Sequence, residues 1–255
     1  MSPAISPALV SRIREKAGTF FRSARGSHDL DHTERVYRLC LRIGRKEKAD
    51  LGVLKLAALL HDIGREEEDR SHGRTYHHRS GAALARKILA RHGCDAATIR
   101  AVVHCISTHR FRRGGAPRTL EARVLFDADK LDSIGAVGVG RAFLFAGEIG
   151  AQLHDKSIDV RKTRPYTRED TAYREYLVKL SRIRDRMTTR EGRRIASERH
   201  RFMAAFFARL NKETDGVLWR WRGTRSITPS GAPGSRRSSP RSPSSFFSAG
   251  WPSSG

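Results

Sequence analysis

The run VLKLAALLHDI, from Val53 to Ile63, sets the firmest limit on what this chain can become. Val53, Leu56, Ala57, Leu60 and Gly64 recur on one helical face, and Leu59 and Ile63 widen it. So broad an apolar arc predicts a helix buried among others. The run ends in His61 and Asp62, two side chains able to bind metal. Helical neighbours point about 100° apart, yet both can reach one ion lying across the final turn. Imidazole suits transition metals, and carboxylate suits hard ions and neutralises charge. Gly64 is expected to stop the helix in a left-handed cap. An isolated His-Asp pair is most often a helix cap beside a solvated acid, so the assignment depends on what accompanies it.

Helical signals fill the body of the chain, and no period-two strand or Asn-Gly or Asp-Gly hairpin turn interrupts them. Ser6 and Pro7 open a first helix with Leu9, Val10 and Ile13 inward. A basic amphipathic start can also be a transit peptide; the capped helix is the plainer reading. Further helices are expected over Thr33–Lys46, Gly52–Ile63, Ser80–Arg91, Thr98–Thr108, Glu121–Ile134, Ala142–Leu153, Glu169–Arg186 and Glu191–Leu210. Glu66–Tyr76, Arg110–Arg118 and His154–Thr167 read as loops. Gly135, Gly138 and Gly140 follow a helix and lack the Lys and Ser/Thr of a phosphate loop, so they indicate close helix packing. The fold class is all-α, a helical bundle without internal repeat. Residues 1–215 form one domain. Residues 216–255, rich in Ser, Pro and Gly and free of acidic residues from Trp219 onward, are expected to be a disordered basic tail.

The formal net charge of +23 favours anionic partners, whether phosphorylated metabolites or nucleic acid. Cys40, Cys94 and Cys105 form no CxxC motif and are odd in number, which predicts a reduced, cytoplasmic protein. No stretch approaches the roughly 20 apolar residues of a membrane span, and no membrane partner is expected.

Two other places carry candidate ligands. His32 lies one helical turn before Val36 and can face the core. Asp127, Asp129 and Asp132 follow the apolar Val124-Leu125-Phe126. Asp127 and Asp129 are about 200° apart on a helix, so one of the two is expected to face the His61-Asp62 pair; Asp129 and Asp132 share a face.

The order His32, His61-Asp62, Asp129 resembles the HD superfamily of metal-dependent phosphohydrolases. The local sequences SHDLDHTERVYRL, LLHDIG and EARVLFDADKLDSIGAVGVGRAF carry the likeness, which extends from about Gly26 to about Thr214 and is strongest to the bacterial YedJ/YpgQ-like branch. The resemblance implies an HD-domain bundle with metal ligands His32, His61, Asp62 and Asp129, and Asp127 as the fallback for the last. It implies one divalent ion per chain. Mixed N/O ligation suits Mn²⁺, Mg²⁺, Fe or Co²⁺ better than a closed structural Zn²⁺ site.

On the same footing His61, Asp62, His104, His109 and Lys130 are the candidate catalytic residues. His104 and His109 resemble phosphate-binding or proton-transfer groups, although their five-residue spacing puts them about 140° apart. Lys130 could meet a substrate phosphate, as could Arg65, Arg74, Arg141 and the Arg110–Arg113 loop. His77-His78 resembles, loosely, the extra ligands of binuclear members; a solvated loop is the expectation here. Glu66, Glu67 and Glu68 are read first as a solvated acidic run and second as a source of a base.

The function implied is divalent-metal-dependent hydrolysis of a nucleotide or related phosphorylated small molecule by metal-activated water. The alternative is a basic nucleic-acid-binding module on the same fold without turnover, for which no helix-turn-helix, zinc-finger or RNA-binding motif speaks. A homo-oligomer is compatible with either.

Overall fold

The computed structural model describes residues 5–21, 30–71, 74–110 and 115–217. Among them every regular element is helical: α1 (Pro7–Gly18), α2 (Leu30–Glu47), α3 (Leu51–Leu60), α4 (Arg65–Arg70), α5 (His77–Arg91), α6 (Ala96–Thr108), α7 (Leu120–Leu131), α8 (Gly135–Glu148), α9 (Ala172–Val178) and α10 (Arg190–Glu213). Two single 3₁₀ turns, Leu180–Arg182 and Arg184–Arg186, link α9 to α10.

The central helix is α3. It begins where Asp50 accepts hydrogen bonds from the Gly52 and Val53 N–H groups. Val53, Leu54, Leu56, Ala57, Ala58, Leu59 and Leu60 are all buried, and α1, α2, α6 and α7 pack around them. Ser6 caps α1 as its sequence predicts, and Asp95 for α6, Thr119 for α7 and Thr189 for α10 likewise each accept a first-turn N–H.

Five expectations change. Glu66–Tyr76 holds the short α4. The fifth helix starts at His77, not Ser80, so both histidines lie within it. The eighth starts at Gly135 with φ +79°, so the small-residue run is itself helical. Of the three glycines read as close helix packing, Gly135 and Gly138 approach the last helix, where a Cβ would lie 2.9 Å from Arg199 Cγ and 3.1 Å from Met203 Cε, while Gly140 has nothing within 4 Å. The single helix expected over Glu169–Arg186 is broken into α9 and the two 3₁₀ turns, because Lys179 leaves helical geometry at φ −139°, ψ −56°.

Gly64, lastly, is not a left-handed cap, since its φ is −89°. Space explains the glycine: a Cβ there would lie 2.4 Å from the His77 carbonyl oxygen and 2.6 Å from the Gly81 nitrogen. Its bare Cα lets the start of α5 lie against the turn that carries His61 and Asp62.

Asp127 has a structural role. Its carboxylate accepts from the backbone N–H and hydroxyl of both Thr188 and Thr189, fastening α7 to the start of α10. The Ser/Pro/Gly-rich tail lies outside the described residues from Leu218 onward. Among the described residues no helix is long and apolar enough to cross a membrane, and the three cysteines are free.

Candidate metal centre

Four histidines and two aspartates meet at the end of α3. His61 terminates that helix, and its Nδ1–H donates to the Ala58 carbonyl at 2.8 Å. His109 terminates α6 in the same way, with Nδ1–H to the Ile106 carbonyl at 2.6 Å. His32, in the first turn of α2, donates Nδ1–H to Asp132 Oδ2 at 2.7 Å. His77, first in α5, donates Nδ1–H to Glu68. With each Nδ1 on an acceptor, every Nε2 is left as a potential ligand.

The four Nε2 atoms gather around Asp62. Its Oδ2 is 3.7 Å from both His32 and His61 Nε2. Its Oδ1 is 3.6 Å from His77 Nε2 and 3.5 Å from His109 Nε2. Asp129 completes the first side, with Oδ1 3.4 Å from His32 Nε2, and the His32 and His61 Nε2 atoms are 3.3 Å apart. Two triads of donors result, His32–His61–Asp129 and Asp62–His77–His109, and the donor atoms of each lie within 4.8 Å of one another.

This donor set fits a divalent cation. Donors each about 2.1 Å from one ion sit roughly 3 to 3.4 Å apart, close to the spacings within the first triad. In the second, His109 Nε2 is buried and makes no hydrogen bond, which is costly unless an ion or water supplies the partner. Imidazole with carboxylate suits a borderline or hard divalent metal.

The electrostatics prepare both donor types. Burial pushes the His61 pKa down to about 4 and that of His77 to about 2, so both are neutral ligands at pH 7. Burial also acts to depress His32, but hydrogen bonds to Asp129 and Asp132 and the nearby acidic charges outweigh it and raise its pKa. Burial opposes ionisation of Asp129; the Lys130 charge and the His32 hydrogen bond overcome it and hold the carboxyl well below its ordinary range. Lys130 Nζ donates to Asp129 Oδ2 and to the His109 carbonyl, so its charge lies beside the donors.

Of the candidates read from the sequence, His32, His61, Asp62, Asp129, His109 and Lys130 come together. Asp127 does not, because Thr188 and Thr189 occupy it. His104 belongs to neither triad; its Nε2 accepts the Arg118 N–H at 3.2 Å. His77 and His78 are each 2% exposed, not solvated. Only His77 joins a triad, while His78 stacks on Tyr76. The acidic run divides as well: Glu66 and Glu67 pair with Arg70 at the surface, whereas Glu68 turns inward to His77 and to Arg110 at 2.6 Å. Arg65 donates to Asp62 Oδ2 at 3.1 Å, Arg141 donates to Asp132, and Arg74 donates to the Ser71 carbonyl. The rest of the Arg110–Arg113 loop lies outside the described residues. From the sequence His77 is a loose match to an extra ligand but expected in a solvated loop, Glu68 reads first as solvated, and Asp132 is placed only on the face of Asp129; their contacts with the centre are not foreseen there. The signal for His77 was its place just after Tyr76, where the helical pattern of the next segment begins.

Residues 29–134 match the HD domain family. The chain is 37% identical over 194 residues to the uncharacterized protein YpgQ of Bacillus subtilis (strain 168), an alignment spanning 74% of this chain and 86% of YpgQ. The crystal structure of Bacillus subtilis YpgQ in complex with ADP superposes with a TM-score of 0.64 at 31% identity, covering 82% of this chain and 96% of that one. A predicted HD superfamily hydrolase from an uncultured Thermotogales bacterium gives a TM-score of 0.57 at 27% identity, covering 82% and 92%. A bundle that places an HD pair at the end of its central helix, matched by this family and by this relative, identifies the chain as a member of the HD superfamily on its YpgQ-like branch.

Proposed function

We propose that this metal-dependent hydrolase cleaves a phosphoanhydride or phosphoester bond of a nucleotide, with His32, His61, Asp62 and Asp129 as its metal ligands. The observation that carries the reading is the convergence of four imidazole Nε2 atoms on Asp62 with Asp129 alongside. A divalent ion held by these residues would supply acidified water and Lewis-acid polarisation of a phosphoryl oxygen. The chain's own residues do the rest. Asp129 keeps its negative charge because Lys130 stands beside it, and Arg65 donates to Asp62. His109, neighbour to Asp62 and Lys130, is the residue suited to move a proton. Lys130, Arg65 and Arg110 surround the donors with positive charge and favour a phosphate-bearing substrate. The relative solved with ADP supports a nucleotide. His104 has no part in this assignment. The second triad, Asp62, His77 and His109, would hold a second ion, so one ion per chain is a count to be measured. The free cysteines favour a reducing compartment, and we place the protein in the cytoplasm.

The test is phosphate and pyrophosphate release from a panel of nucleoside mono-, di- and triphosphates with Mn²⁺, Mg²⁺ or Co²⁺, run beside metal analysis. Turnover is expected to require metal and to fall by about a thousand-fold or more in Asp62→Ala, the several kcal/mol that a metal contributes to a phosphoryl-transfer barrier. Tight nucleic-acid binding that persists in EDTA, with no turnover on any nucleotide, would favour the binding module to which the +23 charge also points.

A further inference from the structure

Asp132 is an aspartate that the proposed reaction does not use. It caps the end of α7, is 1% exposed, and is surrounded by donors from two other helices. Its Oδ1 accepts Arg35 Nε at 2.7 Å. Its Oδ2 accepts His32 Nδ1–H at 2.7 Å, Arg141 Nη1 at 2.7 Å and Arg35 Nη2 at 3.1 Å. Arg35 therefore grips the carboxylate with two nitrogens, and Arg141, from α8, closes it from a third helix. His32 and Arg35 lie one turn apart on α2, so the ring and its clamp approach Asp132 from the same helix.

A simple ion pair tying α2, α7 and α8 together would need only the arginines. The added feature is the imidazole. An acceptor on Nδ1 keeps a proton there, fixes the ring plane, and leaves Nε2, which faces His61 and Asp129, as the nitrogen that would take a cation in place of its own proton. A carboxylate in that place also makes the imidazole a stronger donor to a cation. The far side of the centre repeats the arrangement: Glu68 accepts His77 Nδ1–H and is itself held by Arg110. The two histidines that end helices, His61 and His109, use backbone carbonyls instead. His32 and His77 begin helices, where no carbonyl of a preceding turn is available, and each has a carboxylate in its place.

We propose that Asp132, clamped by Arg35 and Arg141, is a positioning residue that sets the orientation and tautomer of His32 and thereby the affinity of the metal centre. The proposal rests on the reading of His32 as a metal ligand. Its test is the Mn²⁺ dissociation constant of the full chain, measured by electron paramagnetic resonance for the native protein and Asp132→Asn, with circular dichroism confirming the fold of each in EDTA. The variant keeps the size of the side chain and removes its charge. Its Mn²⁺ affinity is expected to fall about 10- to 100-fold. A folded variant that binds Mn²⁺ within twofold of native overturns the proposal and leaves the metal centre standing. Native protein that binds no Mn²⁺ overturns the metal reading, and this proposal with it.

Should Asp132→Asn not fold, the native protein decides. With Zn²⁺ as a diamagnetic probe, long-range ¹H–¹⁵N spectra assigned against His32→Gln are expected to show the His32 proton on Nδ1 and the metal on Nε2. The reverse arrangement refutes the role given to Asp132.

Discussion

A histidine that binds a cation near neutral pH must first be neutral, and burial ensures this for His61. Its folded pKa is about 4 against an ordinary 6.5, so the unfolded chain takes up the proton first. The stability that His61 contributes is therefore whole above about pH 6.5 and is lost as pH falls toward 4. Each such group gives a slope of about 1.4 kcal/mol per pH unit within its window. His77, pushed by burial to about 2, acts with the same sign and further into acid. His32 runs the other way: its pKa is raised, so its contribution is present at low pH and lost as pH rises through the raised value. Its window lies above the ordinary 6.5, so it does not set the slope on the acid side. The urea midpoint of the metal-free protein should thus drop between pH 6.5 and 5, and His61→Asn should make that drop shallower by about one proton. Equal midpoints at pH 7 and pH 5 would show that the imidazoles are not held neutral.

At the scale of elements, the centre depends on contacts that place α5 and α7. Gly64→Ala would put a methyl against the His77 carbonyl and the Gly81 nitrogen, both backbone atoms that cannot rotate aside. Overpacking of this kind costs about 1–3 kcal/mol, and because it presses on the start of α5 it should also weaken metal binding through His77. Calorimetry and metal titration of the same variant would show both losses, and an unchanged melting temperature would contradict the tight approach. Asp127→Asn separates structure from ligation. It weakens the four hydrogen bonds that hold Thr188 and Thr189, a loss of about 1–3 kcal/mol for a buried carboxylate, yet should leave the Mn²⁺ dissociation constant unchanged, whereas Asp129→Asn should raise it. A large loss of Mn²⁺ affinity in Asp127→Asn would return Asp127 to the ligand set. These two aspartates also mark the limit of the sequence reading. Helical periodicity placed them on different faces, and the family pattern favoured Asp129, but neither could tell that Thr188 and Thr189, some sixty residues on, would occupy Asp127. The Ser6 cap of α1 and the apolar face of α3 were legible because they are local. Glu68, Asp132 and the burial of His77 were not, because each takes its role from a partner on another helix. Gly64 was legible as a glycine that mattered and misread in its reason, since space around a Cα is set by tertiary packing.

The chain divides into a unit that carries the metal centre and a C-terminal segment whose charged residues are all arginines. Its compact unit is Met1–Trp219, and a folded-state ion that binds at a hundred times its dissociation constant stabilises that unit by about 2.7 kcal/mol. Saturating Mn²⁺ should therefore raise the melting temperature of the native chain and leave Asp62→Ala nearly unmoved, which scanning calorimetry would register without any knowledge of the substrate. The charge makes a separate prediction. Arg220, Arg222, Arg225, Arg236, Arg237 and Arg241 all follow the compact unit with no acidic residue among them. On single-stranded nucleic acid each engaged phosphate steepens the dependence of log affinity on log salt by about 0.7. If these arginines contribute the charge that nucleic acid feels, ending the chain after Trp219 should flatten the slope by up to about 4, while nucleotide turnover and the melting temperature stay at native values. That pattern would assign hydrolysis to the body and any nucleic-acid affinity to the segment after it. Turnover that fell in step with the slope would instead mean that the segment serves the hydrolase, and the domain boundary proposed near residue 215 would have to move toward the C-terminus.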